Sequence, residues 1–103
     1  MKNRNADGMG QLRSETPSYD PATKRFRQDY HFTTKHGRLD GSAVSQVSMV
    51  AMKQFRQVVE MNGYSDMAWP PDVVDVTPYD NFDGFMVRFE TRADTGGKII
   101  ILQ

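Results

Sequence analysis

Apolar and polar residues alternate along residues 24–35. Phe26, Tyr30 and Phe32 fall on one side, and Arg25, Arg27, Asp29, His31, Thr33 and Lys35 on the other. A period of two predicts a β-strand with its aromatic side turned toward a core. Gln28 breaks the apolar side, so the regular strand is expected to begin near Asp29. Residues 36–41, with two glycines, read as a loop.

The pattern then changes to a period of three to four. Val44, Val47, Ala51, Phe55 and Val58 form a stripe over residues 42–61, widened by Ser48, Met49, Met52 and Val59. Gln46, Lys53, Gln54, Arg56, Gln57 and Glu60 cover the other side. This predicts an amphipathic helix, capped by Asp40 or Ser42 and stopped at Asn62-Gly63. Residues 64–71 are a connector, in which Trp69 is expected to close over the end of the helix.

Three strands are predicted after it, over residues 73–77, 85–91 and 98–102. A long hairpin loop, residues 78–84, joins the first two, and a tight one, residues 93–97, joins the last two. Phe85, Val87 and Phe89 share one face; Met86, Arg88 and Glu90 share the other. Ile99, Ile100, Ile101 and Leu102 are apolar in succession, so both faces of that strand need cover. The expected fold is α+β, a single helix packed on a mostly antiparallel four-stranded sheet in the order β-α-β-β-β. Residues 1–23 are poor in apolar side chains and are expected to form a flexible tail, with Met9, Leu12 and Tyr19 as its only anchors. Residues 24–103 form the single domain.

Composition narrows the function. The chain has 103 residues, 13 Lys plus Arg against 13 Asp plus Glu, and no cysteine. Disulfides, thiolate metal sites and cysteine nucleophiles are excluded, and the lack of cysteine suits a cytoplasmic protein. No stretch reads as a signal peptide or a membrane span. Net neutrality argues against strong non-specific nucleic-acid binding. The charge is uneven, however: residues 1–42 carry eight basic and five acidic side chains, and the remainder five and eight.

The candidate chemistry is sparse. His31 and His36, with Asp40, match no standard metal or acid-base spacing, and two solvated histidines are the simpler reading. No nucleotide-binding, phosphate-loop or hydrolase motif occurs, so no catalytic residue, metal or cofactor is expected. Arg25, Arg27, Lys35 and Arg38 form a basic strand and loop that can track a phosphate backbone; ordinary edge-strand protection explains the same charges. Asp66, Asp72, Asp75, Asp80 and Asp83 alternate with Tyr64, Trp69, Tyr79 and Phe82, a pattern suited to a protein-binding surface. The helix methionines are expected to fill the core, and Met86 to face outward.

The expectation is a small non-catalytic protein-binding module, an inhibitor or adaptor of a style common in phage and mobile elements. Tyr79, Asp80, Phe82, Asp83, Met86 and Arg88 are its expected contact residues. A homodimer through the strand at residues 98–102 is a further expectation. The alternative is a nucleic-acid binder using the basic residues 24–38.

Overall fold

The computed structural model describes residues 10–34 and 39–94. Its elements are β1 (Gln11–Ser14), β2 (Ser18–Asp20), β3 (Arg25–Thr33), α1 (Gly41–Met61), β4 (Asp66–Met67), β5 (Asp72–Pro78) and β6 (Gly84–Asp94). The class is α+β, with one helix among the described residues and an antiparallel sheet. No helix among them is long and apolar enough to cross a membrane.

Two long strands carry the sheet. β3 and β6 pair from Arg25 opposite Arg92 to Thr33 opposite Gly84. Each has a broken strand on its far side. β1 and β2 line β3, and β5 and β4 line β6. Among the described residues, six strands thus fill four positions, with β1 and β2 on one flank and β5 and β4 on the other.

The alternation read in the sequence sets the faces. Phe26, Tyr30 and Phe32 of β3 and Phe85, Val87 and Phe89 of β6 are buried beneath α1. The helix adds Val47, Ala51, Phe55 and Val59 at four-residue spacing, and Phe55 stacks on Phe89 with centroids 5.5 Å apart. The helix begins where Asp40 Oδ1 accepts the Ala43 amide at 2.8 Å. It ends at Asn62, whose side-chain amide donates to the Val58 carbonyl at 2.8 Å, and Gly63 follows at φ 88°. Tyr64 is buried and Trp69 partly buried against the core, with the Arg56 guanidinium 5.1 Å from the Trp69 ring centroid.

Four expectations are corrected. First, residues 11–20 are not part of a flexible tail. Residues 11–20 contribute two strands, Leu12 and Tyr19 pack against the core, and the Tyr19 hydroxyl donates to the Ala93 carbonyl at 2.9 Å. Residues 1–9, including Met9, lie outside the described residues. Second, Gln28 does not delay the strand. It is buried, its amide donates to the Glu15 carbonyl and its oxygen accepts from the Tyr30 hydroxyl, both at 2.7 Å. Third, Met49 and Met61 are 61% and 84% exposed and fill no core. Fourth, β6 runs to Asp94, with β3 on one side and β5 and β4 on the other. No edge of β6 remains for the expected hairpin partner. That strand, residues 98–102, lies outside the described residues.

Candidate functional site

β5 is the strand that the core leaves uncovered. Among the described residues it pairs with β6 alone, and no described strand borders its other side. Val73 and Val76 lie opposite Phe89 and Val87 and therefore share the helix side of the sheet. They are nevertheless 49% and 45% exposed. The reason is width. A helix with its side chains is about 10 Å across, and four strands at ~4.8 Å spacing are wider than that. α1 rests on β3 and β6. At the opposite edge, Leu12 and Tyr19 are drawn into the core; the valines of β5 are not. A bulge between Val73 and Asp75 sets Val74 out of register, 49% exposed. Valines alternating with carboxylates along an edge that is unpaired among the described residues can accept a further strand or promote aggregation.

The hairpin tip beside it is held by backbone hydrogen bonds. Tyr79 N donates to Gly84 O, and Phe82 N to Tyr79 O, both at 2.9 Å. Two further backbone bonds, Thr34 N to Asp83 O at 2.7 Å and Leu39 N to Phe82 O at 2.9 Å, tie the tip to the loop after β3. Phe82 has φ 56° and is 44% exposed. The left-handed region is unfavourable for a bulky side chain, yet here a Phe occupies it with nearly half its surface in water. Asp80 is exposed at the same tip. Residues 57–87 contain no Lys, Arg or His and six acidic residues. Edge and tip together are apolar and acidic.

The outer face of the sheet is a balanced ion-pair lattice. Arg25 reaches Asp72 at 2.9 Å and Glu90 at 3.1 Å, Arg27 reaches Glu90 at 2.8 Å, and Lys24 reaches Asp94 at 3.0 Å. The two arginines expected to track phosphate thus face carboxylates already. Lys35 and Arg38 lie outside the described residues. An open hollow of about 440 Å³ beside Arg25 and Arg27 also has Glu90 in its wall, which offsets their charge toward an anion. Arg88 grips Asp29 across β3 and β6, and Met86, half-buried, sits on this face between His31 and Thr77. Of the six expected contact residues, Asp80, Phe82 and Asp83 therefore belong to the tip. Tyr79, Met86 and Arg88 are engaged with the outer face.

His31 joins two residues that its sequence neighbours do not suggest. Its Nε2 meets the Glu15 carboxylate, and its Nδ1 lies 3.0 Å from the Tyr79 hydroxyl. A carboxylate, an imidazole and a hydroxyl in line can relay a proton in a suitable pocket. Here they lie on the outer sheet face, and none of them lines the hollow beside Arg25 and Arg27. Asp40 is occupied as the helix cap, and His36 lies outside the described residues. No group of three metal-ligating side chains occurs among the described residues.

The valines of β5 were missed as candidates because a strand of this pattern reads as half-buried. The available signal was the run Val73-Val74-Asp75-Val76 between prolines, in a stretch without a basic residue. No known protein family, curated protein or solved structure matches this chain.

Proposed function

We propose that this chain is a non-catalytic protein-binding module, an inhibitor or adaptor, which docks a partner along the outer edge of β5 and the adjoining Phe82 tip. The exposure of Val73, Val74 and Val76 on a strand whose outer side has no partner among the described residues is the observation that carries this reading. Main-chain groups at such an edge supply affinity, and alternate side chains supply selection. Asp75, Asp80 and Asp83 favour a partner strand that is apolar and flanked by Lys or Arg. The bulge and the flanking prolines keep the usable edge short and limit indiscriminate pairing.

The reading is tested by comparative affinity capture from the native cell extract. Wild type, Val74→Lys and Phe82→Asp are compared with Met61→Lys, a control at an exposed position away from β5. A protein retained in stoichiometric amount by wild type and Met61→Lys, and lost with the other two, supports the proposal. Retention by all four, or by none, counts against this surface.

The nucleic-acid reading loses ground to the pairing of Arg25 and Arg27 with carboxylates. Salt-dependent oligonucleotide binding that disappears in Arg25→Ala plus Arg27→Ala would restore it.

A further inference from the structure

Glu15 and Tyr79 lie on opposite flanks of the sheet, and His31 meets both. Glu15 follows β1, and its amide donates to the Asp29 carbonyl at 2.9 Å. Tyr79 follows β5, and its amide donates to the Gly84 carbonyl at 2.9 Å. β3 and β6 run between the two. The Tyr79 ring stands where a side chain on Gly84, the single glycine of β6, would project: a Cβ there would lie 2.8 Å from it. The ring thus reaches inward across β6. Its hydroxyl comes within 3.0 Å of His31 Nδ1, while His31 Nε2 meets the Glu15 carboxylate.

The chemistry of the ends places the protons. An ionised carboxylate only accepts, so Nε2 carries the proton of the neutral imidazole and Nδ1 is left as an acceptor. The Tyr79 hydroxyl donates to it. The chain of bonds therefore runs one way, from Tyr79 through His31 to Glu15. A carboxylate at the end of such a chain polarises the imidazole and makes its other nitrogen a better acceptor. We propose that these three side chains form one cooperative relay, through which the corner after β1 and the hairpin tip hold each other in place. Each end carries backbone with it. The Glu15 carbonyl accepts from the Gln28 amide at 2.7 Å, and the Tyr79 carbonyl accepts from the Phe82 amide at 2.9 Å. Loosening one end is felt at the other, across the two central strands. The relay stands whether or not the tip docks a partner.

The test is amide exchange, read by NMR on the full chain. Glu15→Gln keeps an acceptor oxygen and removes the charge. Tyr79→Phe keeps the ring and removes the donor. Arg13 lies opposite His31 on β1, and Arg13→Gln is the control. All rates are taken relative to the Val87 amide in the interior of β6, so that a general loss of stability cancels. Glu15→Gln is expected to speed exchange of the Tyr79 and Phe82 amides about threefold. Tyr79→Phe is expected to speed exchange of the Glu15 amide by a similar factor, because coupling between two sites is reciprocal. Arg13→Gln should do neither. Far-end rates that move no more than in the control overturn the proposal in favour of two separate bonds. A second reading does not depend on stability: Glu15→Gln is expected to shift the Tyr79 Cζ resonance. A Tyr79 Cζ signal that stays where it is in wild type also overturns the relay.

Discussion

Arg88 and Asp29 face each other across the two central strands and meet by two bonds. Nε lies 2.8 Å from Oδ1 and Nη2 lies 3.0 Å from Oδ2. This two-point contact is the centre of the outer face. The hydrogen bonds from Arg88, with its charge, hold the Asp29 carboxyl below the ordinary value of 3.8 despite some desolvation. A carboxylate with a depressed folded-state pKa stabilises the fold above its unfolded pKa. That contribution is lost as pH falls through the folded value. Arg88→Met is therefore expected to lower stability by about 1–2 kcal/mol at neutral pH, the scale of a partly buried charged pair. The gap between wild type and variant should close in acid, below the range in which Asp29 ionises. Urea unfolding at both pH values checks this.

The second prediction concerns the buried polar chain Glu15–Gln28–Tyr30. Burial pushes the Tyr30 phenol well above its ordinary value, so it is a neutral donor at any ordinary pH. Gln28→Leu strips the partner from both the Tyr30 hydroxyl and the Glu15 carbonyl, and is expected to cost roughly 1–3 kcal/mol. Tyr30→Phe removes one bond and should cost less, about 1 kcal/mol. The double variant should cost less than the two single losses together, because the hydroxyl left unpaired in one is absent in the other. Thermal or chemical unfolding of the three variants is the measurement.

Gly84 allows a close approach that no other residue permits. A Cβ there would stand 2.2 Å from the Phe32 carbonyl oxygen and 2.8 Å from the Tyr79 ring. Gly84→Ala must push β3 and β6 apart at the base of the hairpin. A loss of about 2–3 kcal/mol is expected. It should be accompanied by shifts in the amide resonances of the Phe82 tip, which is tied to both strands.

Phe82 separates binding from stability. Asn tolerates the left-handed conformation better than Phe does. This gain offsets the modest packing of a side chain that is already 44% exposed. Phe82→Asn is expected to change stability by no more than about 0.5 kcal/mol, the range of ordinary surface substitutions. The same variant should fail in affinity capture. A variant that unfolds readily would instead mark Phe82 as a structural residue.

Several elements of this fold could be read directly from the order of residues, and the reasons are local. The helix needs only its apolar period and the Asp40 side chain to set its start. β3 and β6 need only the parity of Phe26, Tyr30 and Phe32 and of Phe85, Val87 and Phe89. What was illegible depends on distant partners. β1 and β2 are three or four residues long with one apolar side chain each, Leu12 or Tyr19, and acquire their conformation by pairing with β3. Gln28 sits on the inward side because Glu15 and Tyr30 satisfy it. The exposure of Val73 and Val76 depends on where one helix lies across a sheet wider than itself, which no local pattern encodes. The pairing of His31 with Glu15 and Tyr79 is likewise assembled from three separate segments.

The direct test of the docking edge is amide exchange on this protein, free and bound to the partner that capture returns. Binding is expected to slow exchange at residues 73–77 and at the Phe82 tip, and to leave β1 and β2 unchanged. Protection that appears along β1 and β2, with β5 exchanging as it did before, would contradict the account.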